Sequence, residues 1–367
     1  MRRFVSFRDF DWLLLAFVLV ICALGVMEIY SATINTKFVG VHIKQVYWIV
    51  AGVGLMVLIS LLNYQALLEQ VPWMYGLAVL SLVAVRLFGQ KYLGARRWIN
   101  LRVGGVHFQP SEWVKLILIL AMAKYFSEAR PYEQEGQPLD ILKAGALVGV
   151  PMLLVLAQPD LGTALTYVPI AIMGLFMGGL KLKHAVVLIL LGSMLAVPVW
   201  KWGLKSYQKD RLTSFMSPEV DPQKKGYQVI QSLIAVGSGG ITGKGIAKGT
   251  QTQGNFLPVP HTDFIFAAWA EEHGLVGALG LLLLYFMVLM RLIHNAQTAP
   301  DRAGAFVIMG VVAVLAFHVL INVGMVVGFM PVTGIPLPLM SYGGSSVLFT
   351  FLALGIVMNI RMRRFVN

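Results

Sequence analysis

Three apolar runs constrain this chain more than anything else in it. Residues 13–30 read LLLAFVLVICALGVMEIY, residues 46–62 VYWIVAGVGLMVLISLL, and residues 280–290 GLLLLYFMVLM. Stretches of this length and hydropathy cross the hydrocarbon core of a bilayer as helices. Composition agrees: 57% of the 367 residues are hydrophobic and 13% are charged, against about 25% charged in a soluble domain. The first run follows the basic stretch MRRFVSFR but is about 20 residues long, beyond the 7–15 of a signal-peptide core, so a cleaved leader is not expected. Cys22 is the single cysteine and lies inside that run. It excludes an intrachain disulfide and reads as small core filler.

The hydropathy pattern predicts about ten membrane segments, near 11–31, 45–62, 72–88, 110–126, 141–157, 162–180, 184–203, 263–291, 304–328 and 338–360. An even count puts both termini on one side. MRRFVSFR, RMRRFVN and the short loops GGLKLKH and RLIHNAQTAPDR fall on that side, and all are basic. Positive charge beside short loops marks the cytoplasm, so both termini are expected inside. The expected fold is an all-α polytopic membrane protein, with one large extracytoplasmic loop (about 204–262) between the seventh and eighth segments. Residues 1–367 read as one transmembrane domain, without a soluble domain, a low-complexity tract or a clear repeat. This topology places GARRWINL, FQPSEW, QPDLGT, HTDF and PVTGIPLPLMSYGGSS together on the outer face, so the chemistry is expected at the outer membrane–water boundary.

The outer loops are also cationic. Lys91, Arg96, Arg97 and Arg102 occupy a loop with no acid, and Lys205, Lys209, Arg211, Lys224, Lys225, Lys244 and Lys248 outnumber the acids of the large loop. An anionic ligand at that surface explains this bias, most directly for Arg96 and Arg97. The alternative is that long loops escape the charge rule and arginines anchor to headgroups. Nucleic acid is not a credible partner, because the cations are tied to membrane ends.

Several acids stand in or beside apolar sequence, where an ionisable group costs about 2.5–3.5 kcal/mol. Glu112 and Lys115 are three apart on one helix face, and a buried structural pair is favoured over a catalytic one. Asp160 in QPDLGT reads equally as a helix cap or a site residue. Asp263 stands at the head of FIFAAWA. A cap alone would be worth about 1 kcal/mol, and Ser or Asn would serve as well, but its cationic surroundings at the lipid boundary suit a base. As a cap near cations it is expected to have a lowered pKa. Glu271 and Glu272 lie about 12–13.5 Å deeper at helical rise, too far to share a proton with it, and are expected to pair with a buried cation or hydroxyl. His318 and Asn322, one turn apart, read as polar glue between helices. The Gly- and Pro-rich stretch after 330 implies broken helix, which is tolerated at that depth when it lines a cavity.

The motifs GARRW, QPSE with Lys115, QPDLGT, QSLIAVGSGGITGKG, HTDFIFA with AEEHG, and NVGMVVGFMPVTGIPLPLMSYGGSS together resemble the SEDS family of peptidoglycan polymerases, in order and over essentially the whole chain. Within it the chain is most similar to the elongation branch, with a division-type polymerase as the alternative. The resemblance implies a ten-helix glycosyltransferase acting on lipid II at the outer leaflet, partnered by a class B penicillin-binding protein. It places the catalytic aspartate on Asp263 and the other motif acids on Glu112, with Lys115, and Asp160. Arg96, Arg97 and Lys244 are the candidates for holding the lipid diphosphate. A divalent cation, Mg or Mn, could share that task, although the sequence shows no dedicated cage of ligands for one. Two rivals stay open: a lipid II transporter, which should show repeats and helices broken near the midplane, and a scaffold that only docks the penicillin-binding protein.

The charge pattern predicts that positions 97 and 225 face outward and position 302 inward. Labelling of single cysteines introduced there with a membrane-impermeant thiol reagent should modify positions 97 and 225 in intact cells, and position 302 only after permeabilisation.

Overall fold

A computed structural model describes residues 7–92, 95–100, 107–128, 138–203, 206–216 and 226–364. The chain opens with α1 (Trp12–Thr33), α2 (Val41–Leu61), the short α3 (Tyr64–Glu69) and α4 (Val71–Phe88). A small antiparallel sheet follows, β1 (Gln90–Tyr92), β2 (Ala95–Asn100) and β3 (His107–Phe108), with β2 in the middle. Next come α5 (Pro110–Glu128), α6 (Pro138–Leu156), α7 (Leu161–Leu165), α8 (Val168–Met177) and α9 (Leu182–Pro198). The large loop contains α10 (Ser206–Met216), α11 (Tyr227–Ser238) and α12 (Thr250–Gln253). The chain closes with α13 (Ile265–Gln297), α14 (Arg302–Val326) and α15 (Gly344–Met362).

Among the described residues, α1, α2, α4, α6, α13, α14 and α15 are long and apolar enough to cross a membrane. The helix α5, the α7–α8 pair and α9 occupy the other three expected segments. This is an integral membrane protein. α5 is the least apolar because it carries Glu112, Lys115, Lys124 and Glu128, and Pro169 at the start of α8 separates α7 from α8. Two departures from the sequence reading fall in the expected loops: the small sheet, and the helices that order much of 204–262.

At the end of the bundle that carries the termini, Asp11 caps α1, its carboxylate accepting from Leu14 N–H at 3.2 Å. The same buried carboxylate pairs with Arg291 at 2.9 Å and Arg361 at 3.0 Å, and accepts from Asn295 at 2.8 Å. One acid thus joins the start of α1 to the ends of α13 and α15. Cys22 is 2% exposed and packs in the core, as expected of small filler.

The opposite end is built on a broken helix. α13 has 33 residues, about 50 Å at helical rise, whereas a bilayer core is about 30 Å thick. The excess is removed at Gly274, whose backbone leaves the helix at φ 65°, ψ −165°. Residues 265–272 before the break are buried in protein, while Leu275, Val276, Leu279, Leu283 and Phe286 beyond it are exposed. The break leaves backbone groups without helical partners, and the glycine-rich segment at 239–245 supplies them. Lys244 and Gly245 N–H donate to the carbonyls of Glu271 and Glu272 at 3.1 and 2.9 Å. Leu275 and Val276 N–H donate to the carbonyls of Gly240 and Ile241 at 2.9 and 3.1 Å.

The two glutamates complete this junction. Glu271 accepts from Lys244 Nζ at 2.9 Å, from the N–H groups of Gln251 and Thr252 at 2.8 and 3.0 Å, and from the Thr252 hydroxyl at 2.8 Å. Glu272 accepts from Ser31 Oγ at 2.5 Å and Ala247 N–H at 3.1 Å. Buried carboxylates with this many charge-assisted donors act as fasteners, and they clamp the loop onto α13 and α1. The expected hydroxyls are thus Thr252 and Ser31, and the cation is Lys244, which is only partly buried.

Gly274→Ala should be strongly destabilising. A non-glycine residue at that backbone costs about 1–3 kcal/mol, and its Cβ would come within 2.3 Å of Gly243 N. Gly280→Ala, where a Cβ meets nothing within 4 Å, should leave the melting temperature of the purified protein unchanged or higher.

Candidate active site

The segment between α14 and α15 carries the proline- and glycine-rich motif, and buried polar side chains hold it out of helical form. Asn322 of α14 donates from Nδ2 to the carbonyls of Asp263 and Ile335 at 2.9 and 2.8 Å. One turn earlier, His318 Nδ1 lies 3.1 Å from the Pro336 carbonyl. Ser341 Oγ donates to the Thr262 carbonyl at 2.7 Å and accepts from Leu337 N–H at 2.8 Å. Tyr342 N–H donates to the His261 carbonyl at 2.9 Å. These bonds fix residues 261–263 beside 334–343. In them His318 and Asn322 act as polar glue to non-helical backbone, where their spacing predicts glue between helices.

A cleft of about 580 Å³ opens between this framework and α5, α7 and β2. It brings together four of the residues singled out in the sequence: Arg97, Glu112, Asp160 and Asp263. The expected cavity is present, and it lies at the end of the bundle away from the termini.

Asp263 stands in the wall of the cleft, partly open to it, close to Gly334. It is not the cap of α13. Phe264 takes that position, and no side chain caps the helix. The expectation of a lowered pKa is also corrected. Burial pushes the Asp263 carboxyl above the usual carboxylate range, and Arg211, the Thr262 hydroxyl and Arg97 pull it down only in part. Arg211 was not distinguishable among the loop lysines and arginines in the sequence. Here it sits on α10 and donates to the Thr333 carbonyl at 3.0 Å.

Asp160 is a helix cap and also lines the cleft. It caps α7 through Thr163 N–H at 3.3 Å, accepts from Thr163 Oγ1 at 3.0 Å and Gln109 Nε2 at 3.1 Å, and faces Arg97 at 3.6 Å. Arg97 also donates to the Pro159 carbonyl. Glu112 and Lys115 pair at 2.9 Å, with the lysine fully buried under the cleft floor. Lys115 Nζ is 3.2 Å from His318 Nε2 and 4.4 Å from the centre of the Phe349 ring. An ammonium only donates, so His318 Nε2 accepts and its Nδ1–H faces Pro336. The tautomer follows from the partners.

One expected site residue is not brought in, and the side chain of another lies outside the described residues. Lys244 does not line the cleft: its ammonium is committed to Glu271, Ser238 and Thr250 at 2.9, 2.7 and 2.7 Å. Arg96 lies on β2 opposite Lys91, but its side chain falls outside the described residues, as do Arg102 and Lys225. Among the described residues, no three His, Cys, Asp or Glu side chains gather to hold a metal ion.

Comparison with known proteins gives a consistent result. A family model described as Cell cycle protein, covering FtsW, RodA and SpoVE, matches residues 11–365. The peptidoglycan glycosyltransferase RodA of Treponema pallidum is 34% identical over 99% of this chain and 100% of its own length. The peptidoglycan glycosyltransferase MrdB of Escherichia coli K12 is 37% identical over 96% of this chain and 94% of its own. A chain solved within a peptidoglycan synthase complex that coordinates polymerization and crosslinking superposes with a TM-score of 0.83 at 37% identity, covering 97% of this chain and 98% of that one. The crystal structure of RodA from Thermus thermophilus superposes with a TM-score of 0.72 at 30% identity, with the same coverage.

Glu112→Ala should lower stability by about 3–5 kcal/mol, because it strands a buried ammonium. Thermal unfolding in detergent measures this. A Glu112→Ala protein as stable as wild type yet inactive would move the pair from structure to chemistry.

Proposed function

Because the chain belongs to the SEDS family of FtsW, RodA and SpoVE, we propose that it is a peptidoglycan glycosyltransferase that polymerises lipid II during cell elongation. The reach of the family match, residues 11–365, supports reading the chain as one SEDS domain. The observation that carries the mechanism is the placement of Asp263: a carboxylate in the wall of a cleft, with its pKa raised by burial and two arginines nearby.

In this reading Asp263 takes the proton from the 4-hydroxyl of the acceptor sugar. The freed oxygen pair attacks the anomeric carbon of the donor strand, and the bond from that carbon to the lipid diphosphate breaks. An α-linked donor gives a β-linked product in one displacement, so a single base suffices. A base whose pKa is raised toward the working pH is a better proton acceptor than an ordinary carboxylate, and general-base catalysis supplies about 10²–10⁴-fold. Arg97, Arg211 and, from its sequence position, Arg96 supply positive charge for the departing diphosphate. Asp160 orients Arg97, and the Glu112–Lys115 pair forms the floor.

We place the cleft on the outer face. The support is the charge at the opposite end, where Arg291 and Arg361 meet on Asp11 and Arg302 begins α14, together with the basic sequence of both termini. A class B penicillin-binding protein as partner is supported by the likeness to a synthase complex that both polymerises and crosslinks. The transporter reading accounts less well for a cleft confined to one end, and a scaffold gives no reason for the environment of Asp263.

Asp263→Asn should fold and bind its partner normally while losing polymerisation by about 10²-fold or more, assayed as long glycan strands made from lipid II. Substantial polymerisation by the folded Asn protein would move the base elsewhere, with Asp160 next. The working form of Asp263 is ionised, so the rate should fall as pH drops through its raised pKa. The acid limb of the pH–rate profile should therefore lie above the ordinary carboxylate range, and a limb near pH 4 or below would contradict this assignment.

A further inference from the structure

Two tryptophans line the cleft that the chemistry above leaves unused. Trp48 comes from α2, and Trp113 from the first turn of α5, next to Glu112. Both are half-buried, and each ring is braced from behind. A Cβ on Gly344 would come within 2.6 Å of Trp48 Cε2 and 2.9 Å of its Cδ2 and Nε1. Cε2 joins the two rings of the indole and has no free edge. The Gly344 backbone therefore lies against the ring face, and only a glycine fits there. Trp113 packs on Phe108, with ring centres 5.7 Å apart and planes tilted by 38°. Its Nε1 is sealed inside the protein, so it brings ring carbon to the cleft and no donor.

Tryptophan near a membrane surface ordinarily anchors a helix among lipid headgroups. On α2 that role falls to Tyr47, which is 69% exposed, whereas its neighbour Trp48 lines the cleft. Nor do the two indoles fill an apolar core, because the same cleft is lined by Arg97, Glu112, Asp160 and Asp263. Aromatic faces and ionic groups around one cavity match the two aspects of a pyranose ring. Its flat C–H faces are apolar, and its rim carries hydroxyls that need hydrogen-bonding partners. A prenyl chain fits this lining poorly. Covering three carboxylates with hydrocarbon is costly, and the chain has the bilayer beside the cleft to occupy.

Resting on the glycosyltransferase reading, we propose that Trp48 and Trp113 are stacking platforms for the sugar rings of lipid II, and that they hold the acceptor hydroxyl at Asp263. A carboxylate base needs its proton donor within hydrogen-bond reach, and a sugar held by its lipid anchor alone can turn that hydroxyl away. Two braced rings lose little freedom when the sugar arrives, so their contact energy goes into orientation. The platforms also select. A sugar whose substituents are equatorial leaves both ring faces clear, whereas an axial hydroxyl would stand between the sugar and an indole.

The test separates sugar from lipid. Trp48→Leu and Trp113→Leu keep apolar bulk and remove the flat face. Binding is measured by thermophoresis in detergent with two probes that share a chain and a diphosphate: lipid II built on a farnesyl chain, and farnesyl diphosphate, which has no sugar. Each folded Leu variant should bind the farnesyl lipid II about 10-fold more weakly, the scale of a good aromatic contact, and should bind farnesyl diphosphate as the wild type does. Trp→Phe at either position should restore most of the lost affinity. Equal losses for the two probes would put the rings against the chain or the diphosphate and overturn the proposal. Wild-type affinity for the farnesyl lipid II in either folded Leu variant would overturn it too. The two positions lie on separate helices, so one variant decides if the other does not fold. The wild type alone gives a further check, because equal affinity for the two probes would mean that the sugars add nothing, which also overturns it. Polymerisation of lipid II by the wild type is assayed separately, so the glycosyltransferase assignment can stand while this inference fails.

Discussion

One side-chain amide, that of Asn322, donates to two carbonyls far apart in sequence, those of Asp263 and Ile335. Backbone that leaves a helix inside a membrane protein cannot turn to water for its hydrogen bonds, so each such departure needs a buried partner. Asn322 and His318, one turn apart on α14, supply several of those partners. They let the segment after α14 run as open chain beside residues 261–263. Without that support the motif would have to refold as helix or bury unpaired carbonyls, and the cleft would close in either case. The position of Asp263 is therefore set by α14 and Ser341, through its own backbone and that of its neighbour Thr262.

Several buried charges among the described residues are committed to fixed tasks. Asp11 ties three helix ends together, Lys115 satisfies Glu112 and His318, and Lys244 satisfies Glu271. In each case the desolvation of one ion is offset by an opposite ion and by further hydrogen bonds. Asp263 differs. The arginines that influence it are engaged elsewhere, Arg97 with Asp160 and Pro159, and Arg211 with Thr333. They are near enough to moderate its pKa and do not hold it in an ion pair. A carboxylate in that condition is freer to accept a proton than one held like Glu271.

The membrane helices were legible because hydropathy over some twenty residues is a strong and local signal. Asp263, Glu112 and Asp160 were legible because each interrupts or heads an apolar run. The break in α13 was not. Gly274 follows Glu271, Glu272 and His273 in a segment whose length and flanking apolar runs still read as one helix, and its conformation makes sense only once the 239–245 segment is packed against it. The sheet was missed because KYLGARRW shows no alternation of period two, and α10 because its surroundings read as polar loop. Lys244 was misjudged for a related reason. Sequence gives the sign of a charge, but the partner that absorbs it, Glu271, lies 27 residues away.

The lone cysteine has a practical consequence. Cys22 is sealed in the core at 2% exposure, so a water-borne maleimide has almost no native thiol to react with. The wild-type protein is in effect already a blank background for site-directed labelling. Spin labels or fluorophores could be placed at the cleft rim and on the 239–253 loop without first removing a buried residue, a substitution that would itself disturb the packing of α1.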